Sequence, residues 1–334
     1  MTPKGSRPQS PRPSASLTPR ERAIEALELR PPSPGLVPTF ELEFQLTQEK
    51  FGREFFFRPD FENEPDPSRR RAMYDHNIDL YLDIARTYDY CAIVPIHGYY
   101  GQPDHDETIR FLERLRDKGG DRYLIVPHVG ATMAIPDGNN MMEVVSEIAD
   151  HPDALKAKYA ALVQEKLQLA ERLAGHGVDS FAECCDYCFN HGPFLSPAMF
   201  AEFVTPYLAD LVAGLRQRGY YVIKHTDGNI MPILDQLVAC RPHALHSLDP
   251  MAGVDIAEVK RLVGKEVCLI GNVNAALMQT GSDAQVRASA EYALRSGMPD
   301  GGYIFSTSNC AFKGLPLQRY ELIMKVRQEL GWYS

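Results

Sequence analysis

The chain has 334 residues, of which 44% are apolar and 24% are charged, and its formal net charge is −9 at pH 7. The apolar content excludes wholesale disorder, and the length suits one large domain or two ordinary ones. No apolar segment approaches the roughly 20 residues of a membrane-spanning helix. A net acidic chain without a dense Lys/Arg stripe is a poor partner for nucleic acids or anionic membranes. Seven irregularly spaced cysteines indicate a reducing cytoplasm rather than a disulfide framework.

Residues 1–17 are rich in Pro and Ser and contain no acidic residue, so we predict a disordered tail. Residues 18–334 are predicted to form a single domain. Its first element is a helix over residues 18–29, because Thr18 and Glu21 form a capping-box pair at its start.

Strand and helix patterns alternate along the domain. Short apolar runs predict strands at 36–44, 90–96, 122–129, 178–184, 220–225, 243–248, 267–273 and 302–307. Helical patterns occupy 68–87, 104–118, 152–175, 197–219, 231–240, 255–264, 283–297 and 316–331. Eight such units favour an α/β fold, a (β/α)₈ TIM barrel with an N-terminal helical extension. The alternative is an open doubly wound sheet, but no G-x-G-x-x-G follows the first predicted strand.

A barrel of this kind carries its catalytic groups at the carboxyl ends of the strands. Polar or potentially ligating residues recur at those positions, namely Glu41, Glu43, His97, His128, Glu183, Asp186, His225, Asp227, Asn272 and Cys310. Each alone could be a helix cap or a buried structural residue. Their recurrence at one end of the strands predicts a functional site there.

The sharpest local motif is residues 224–229, Lys-His-Thr-Asp-Gly-Asn, at the end of the fifth predicted strand. His225 and Asp227 could both reach the barrel mouth, and imidazole and carboxylate are ligands of Zn²⁺. Gly228 permits the turn that would present them. In the alternative interpretation Asp227 caps a turn and His225 hydrogen-bonds to the backbone. The motif alone favours neither.

Other candidate groups leave similar alternatives. Cys310 follows the eighth predicted strand and could share a metal with His225, although a lone Cys is more often an apolar filler. Glu183 and Asp186 are carboxylates that could ligate a metal or act as acid or base. The C-x-x-C formed by Cys185 and Cys188 lacks the second ligand pair of a zinc finger.

Glu41 and Glu43 lie two residues apart on the first predicted strand, so they share one face of it. Two carboxylates on one face repel each other and raise a pKa unless they hold a cation, a basic group or a ligand proton. If that face lines the barrel interior, the pair is functional; if it is exposed, the pair has no role.

Residues 190–207 read N-H-G-P-F-L-S-P-A-M-F-A-E-F-V-T-P-Y. Together with H-T-D-G-N at 225–229 and L-I-G-N-V at 269–273, this stretch resembles the uroporphyrinogen decarboxylase superfamily. The resemblance runs in order from about residue 18 to the C-terminus. It implies a (β/α)₈ barrel, in agreement with the strand count.

The resemblance also separates two chemistries within that superfamily. True decarboxylases carry a basic R-Q-A-G-R segment after the first strand, where this chain has E-L-E-F-Q at 41–45, and an Asp after the second strand, where it has P-I-H-G at 95–98. Several cobalamin-dependent methyltransferases of the superfamily bind zinc through H-x-C after the fifth strand and a Cys after the eighth. His225 and Cys310 match that pattern, whereas Asp227 replaces the first Cys.

The resemblance therefore implies a cytoplasmic, zinc-dependent methyltransferase. It would move a methyl group between a small substrate, such as a methyl ether, and the corrinoid (cobalamin) of a partner protein. We expect His225, Cys310 and a carboxylate, Asp227 or Glu183, to hold the metal. Glu41, Glu43 and His97 are expected to be catalytic, and the expected substrate-binding residues are His128, Asp186, Asn229 and Asn272. The alternatives are a metal-free decarboxylase and a non-catalytic ligand-binding barrel. No nucleic-acid or membrane partner is expected, and a homodimer is left open.

Overall fold

The computed structural model describes residues 17–97 and 105–334. The predicted tail therefore lies outside the described residues, except for Leu17. The strands are β1 (Gly35–Leu36), β2 (Ala92–Ile93), β3 (Leu124–Ile125), β4 (His128–Val129), β5 (Ser180–Glu183), β6 (Cys188–Phe189), β7 (Gly192–Pro193), β8 (Tyr221–His225), β9 (Ala244–His246), β10 (Cys268–Val273), β11 (Tyr303–Thr307) and β12 (Trp332–Tyr333).

The α-helices alternate with these strands for most of the chain. They are α1 (Pro19–Leu27), α2 (Thr47–Phe51), α3 (Arg58–Asn63), α4 (Pro67–Tyr88), α5 (His105–Gly119), α6 (Met141–Asp150), α7 (Pro152–Arg172), α8 (Pro197–Phe203), α9 (Thr205–Gln217), α10 (Leu234–Ala239), α11 (Ile256–Val263), α12 (Ala275–Thr280), α13 (Asp283–Gly297) and α14 (Leu317–Leu330).

The parallel strands close into a barrel. Six of them form one sheet in the order β11-β10-β9-β8-β5-β4, and β2 pairs with β3, which continues into β4 through residues 126–127. Residues 38–45 complete the circle, because Thr39 and Phe44 form parallel bridges to Phe305 and Ala311. On the other side, the amide of Cys91 donates to the carbonyl of Thr39 at 2.8 Å. The predicted (β/α)₈ barrel is confirmed.

The strands of the barrel are covered on both faces. Every residue of β5, β10 and β11 is buried, as expected for parallel strands enclosed by helices. The first predicted strand, residues 36–44, is different. It bends at Leu42; Leu36 pairs with Trp332 of β12, and Thr39 and Phe44 form isolated parallel bridges.

The N-terminal extension is the capped helix α1. The amide of Glu21 donates to Oγ1 of Thr18 at 3.2 Å, and the amide of Thr18 donates to Oε2 of Glu21 at 2.8 Å. This reciprocal pair satisfies amides that have no partner within the first turn.

The helix predicted at 197–219 is two helices, α8 and α9, which meet at an angle of 49°. Pro206 is the cause, because its ring has no N–H to donate and clashes with the carbonyl four residues earlier. Val204, between the two helices, has φ −124° and ψ −53°. Among the described residues, no single helix is long and apolar enough to cross a membrane, and only this bent pair reaches that length and composition together.

Candidate functional site

A cavity of about 900 Å³ opens at the carboxyl ends of the barrel strands. Part of its wall is apolar and is formed by Leu42, Phe55 and Ile96. Polar side chains from the strand ends form another part, and they are Glu43, His97, His128, Asp186, His225, Asp227, Asn309 and Cys310. The barrel thus brings most of the predicted site residues to one cavity.

The turn after β8 presents two of these side chains. His225 is the last residue of β8, and Asp227 lies in the turn two residues later. Gly228 has φ +79°, and a Cβ atom there would lie 2.3 Å from the carbonyl oxygen of Cys188. Only glycine allows the turn to pack this closely against β6, so the sequence 225–229 sets the position of Asp227.

His225, Asp186 and Asp227 form a compact group of potential metal ligands. Nε2 of His225 lies 3.6 Å from Oδ1 of Asp186 and 3.9 Å from Oδ1 of Asp227. One ligand atom of each residue lies within 4.8 Å of the others. These His–Asp distances exceed normal hydrogen-bond lengths. They are close to the separation of about 3.4 Å that tetrahedral zinc imposes on its N and O ligands.

Three hydrogen bonds hold Asp227 in place. Its Oδ1 accepts one from Oγ of Ser247 at 2.8 Å, and its Oδ2 accepts one from the side-chain Nδ2 of Asn309. Its backbone N–H donates to Oδ1 of Asp186 at 3.0 Å. Burial raises the pKa of Asp227 to about 6, and the negative charge of Asp186 adds to the rise. A bound cation would offset both effects.

The histidines of the site are neutral at pH 7. Burial lowers the pKa of His225 well below its ordinary value, with a further contribution from His246. Burial also lowers the pKa of His97 and of His128 to about 4. A neutral imidazole can offer a lone pair to a metal, whereas an imidazolium cannot.

Comparison with known proteins identifies the family. Residues 115–330, more than half of the chain, match the uroporphyrinogen decarboxylase (URO-D) family. The chain belongs to this family. The fold is similar to that of a methyltransferase from Methanosarcina mazei, with 16% identity, a TM-score of 0.71, and coverage of 94% of this chain and 99% of that one. A dihydrodipicolinate synthase from Agrobacterium tumefaciens str. C58 has 12% identity and a TM-score of 0.41, with 76% and 71% covered. No curated protein sequence matches the chain.

Within this URO-D barrel, Glu43 lines the 900 Å³ cavity, whereas Glu41 is not part of that lining. Both side chains line a smaller cavity that shares Leu42, Phe55 and His97 with the large one. The carboxylate of Glu41 accepts hydrogen bonds from Oγ1 and the amide of Thr307, at 2.5 and 3.1 Å, and from Oγ of Ser306 at 3.2 Å. Burial raises the pKa of Glu41 to about 7. Glu41 is therefore a buried carboxyl beside the cavity rather than part of its wall.

Glu183 also lies outside the potential metal-ligand group. Its carboxylate forms a fully buried ion pair with Lys224 and accepts a hydrogen bond from Oγ1 of Thr132 at 2.8 Å. Lys224 further donates to the carbonyl oxygens of Cys185 and His225, at 2.8 and 2.6 Å. Glu183 is therefore neutralised by a lysine, and Asp186, expected to bind substrate, takes the carboxylate position beside His225.

Cys310 lines the cavity but is not one of the three residues whose ligand atoms converge. Burial, together with the nearby carboxylates of Glu43 and Glu41, raises the pKa of its thiol. The thiol is therefore protonated unless a cation is close to it. Its position is compatible with a place near a metal but does not by itself make it a ligand.

Two expected substrate-binding residues are outside the cavity lining. Oδ1 of Asn229 accepts a hydrogen bond from the amide of Met231 at 3.1 Å and so stabilises the turn. Asn272 is buried within β10. His246, which bonds to His225 through Nδ1, was not among the predicted site residues, because this contact depends on the register of β8 and β9.

Proposed function

We propose that this chain is a zinc-dependent methyltransferase that moves a methyl group between a small methylated substrate and the corrinoid of a partner protein. The observation that carries the proposal is the convergence of a neutral imidazole and two carboxylates, His225, Asp186 and Asp227, in a roomy cavity at the strand ends. Three protein ligands and an open position are typical of catalytic zinc sites.

The donor set fits a divalent cation on chemical grounds. Burial and the nearby carboxylate of Asp186 raise the pKa of Asp227, and a divalent cation would neutralise the two carboxylates. When bound, zinc would supply Lewis acidity to the oxygen or sulfur atom that carries the methyl group. With Asp186 in place of Glu183, the proposed ligands are His225, Asp186 and Asp227, and the fourth position stays open for the substrate.

The other side chains of the cavity suit a small, uncharged substrate. Leu42, Phe55 and Ile96 make one wall apolar, and the neutral rings of His97 and His128 offer hydrogen bonds without charge. Glu43 accepts a hydrogen bond from Gln45 at 2.6 Å and is the carboxylate available to hold a proton or a substrate hydroxyl on that side.

The charge distribution argues against a metal-free decarboxylase for polycarboxylate substrates. Two cationic side chains contribute to the described cavity wall, and both are paired: Arg58 with Glu62 at 2.6 Å and Lys313 with Glu54 at 3.0 Å. The acidic groups Glu43, Asp186 and Asp227 would repel such a substrate.

Metal content and methyl transfer test the proposal together. We expect protein purified without chelators to hold about one zinc per chain, and His225→Ala and Asp227→Asn to lose it, as measured by mass spectrometry of metals. Cys310→Ala reports whether the thiol is a further ligand. Zinc-loaded protein should methylate cob(I)alamin from a panel of small methyl ethers, followed by the absorbance of methylcobalamin. Equal, low zinc in wild type and variants, with no methyl transfer, would refute the proposal.

A further inference from the structure

His246 is a buried histidine in direct contact with His225. It is the last residue of β9, where it pairs in register with His225 at the end of β8. The Nδ1 atoms of the two rings lie 2.8 Å apart, and the ring centroids lie 5.0 Å apart. His246 is 2% exposed, so this contact is made in the barrel interior and not through solvent.

A hydrogen bond between two Nδ1 atoms requires that one carries a proton and the other a lone pair. Nε2 of His225 faces Asp186 and Asp227, and the proposed metal site needs a lone pair there. The proton of neutral His225 is then on Nδ1, which donates to Nδ1 of His246. His246 in turn carries its proton on Nε2.

That remaining nitrogen distinguishes His246 from an ordinary core histidine. Nε2 of His246 is buried and has no hydrogen-bond partner among the residues that the structure describes. Leaving a buried donor unpaired costs about 1–3 kcal/mol. Stability alone does not account for this unpaired nitrogen, and the hydrogen bond that His246 does make is through Nδ1, to His225.

His243, three residues earlier, offers the structural contrast. Its Nδ1 accepts a hydrogen bond from the backbone amide of Val222 on β8 at 2.9 Å. Both histidines therefore bond through Nδ1 to the same neighbouring strand. His243 contacts the backbone, whereas His246 contacts the ring of the proposed ligand.

We infer that His246 is a positioning residue for the metal site: its Nδ1 accepts the proton of His225 and directs the Nε2 lone pair of His225 toward Asp186 and Asp227. The inference rests on the proposed function and extends it. Metal-binding histidines are more often oriented by a carboxylate or carbonyl. Here the two carboxylates already balance a divalent cation, and a neutral acceptor adds no further negative charge.

Cobalt binding tests this role without relying on turnover. Full-length wild type, His246→Leu, His246→Asn and the matched control His243→Asn would be titrated with Co²⁺, with affinity and visible absorption as readouts. We expect His246→Leu to weaken binding about 10–100-fold and to change the spectrum. His246→Asn places an amide near Nδ1 and should restore most of the affinity, and His243→Asn should bind like wild type. Wild-type affinity and spectrum in His246→Leu would overturn the inference while leaving the proposed function intact.

A second measurement applies even if His246→Leu does not fold. ¹⁵N NMR of histidine-labelled wild type should show His225 protonated on Nδ1 both with and without Zn²⁺. Protonation on Nε2 in the apo form would contradict the assigned hydrogen bond. Absence of Co²⁺ and Zn²⁺ binding by wild type would remove the proposed function, and the role of His246 with it.

Discussion

The buried carboxyl of Glu41 should make the stability of this protein depend on pH in a defined direction. Burial raises its pKa from 4.5 to about 7, and this effect outweighs the hydrogen bonds from Thr307, Ser306 and Tyr320, which lower it. Between pH 4.5 and 7 the folded protein therefore holds a proton that the unfolded chain has released. The contribution of this group to stability is present below pH 4.5 and is lost as the pH rises to about 7.

The size of the effect follows from the two pKa values. At about 1.4 kcal/mol per pH unit, the displacement from 4.5 to about 7 corresponds to about 3 kcal/mol of stability lost by pH 8. Glu41→Gln replaces the carboxyl by a neutral group of the same shape that can still bond to Thr307 and Ser306. Relative to wild type, the variant should therefore gain about 3 kcal/mol between pH 4.5 and pH 8.

Urea unfolding followed by circular dichroism at several pH values measures this difference directly. Glu43→Gln removes the same charge from the same segment at a side chain that lines the cavity, and it controls for the change in net charge. If the stability difference between Glu41→Gln and wild type did not change with pH, Glu41 would not be the buried, protonated group that the structure indicates.

Three further outcomes follow from the site. Gly228→Ala should lower the free energy of unfolding by at least about 2 kcal/mol, because of the positive φ and the contact with β6. The control Gly219→Ala has φ +85° but open space around the added Cβ, so it should lower that free energy by only about 1 kcal/mol. Equal losses in thermal or urea unfolding would contradict the steric argument. Lys224→Met should lower the free energy of unfolding by about 3–5 kcal/mol, because it leaves the charge of Glu183 buried and unpaired. Adding Glu183→Gln should recover part of this loss in the same unfolding assay. A double variant with no recovery would argue against the ion pair. Because the pKa of Asp227 is raised to about 6, protons should compete with zinc for this carboxylate below that pH. The zinc affinity, measured by competition with a chromophoric chelator, should therefore rise as the pH increases from 5 to 6. An affinity that does not change with pH would place Asp227 outside the ligand set.

Residue patterns predicted the barrel because its elements are locally encoded. Continuous apolar runs mark buried parallel strands, and caps such as Thr18 with Glu21 mark helix starts. The first strand was less predictable. The chain bends at Leu42, and although Glu41 and Glu43 both line a small cavity, only Glu43 reaches the wall of the 900 Å³ cavity.

The candidate site was predicted where ligands are close in sequence and missed where the contact crosses strands. His225 and Asp227 are two residues apart in one turn, and Gly228 signals that turn. Nothing local indicates that Lys224 neutralises Glu183 or that His246 bonds to His225, because each pair depends on the register of neighbouring strands. The hydrophobic pattern of a sequence does not specify which individual side chains meet across neighbouring strands.

The most direct test of the metal site is an anomalous difference map from crystals of the zinc-loaded protein, measured at the zinc absorption edge. The proposed function predicts one strong peak in the cavity, about 2.0–2.2 Å from Nε2 of His225 and from carboxylate oxygens of Asp186 and Asp227. A peak elsewhere in the molecule, or none in the cavity at saturating zinc, would contradict the proposed metal-dependent chemistry.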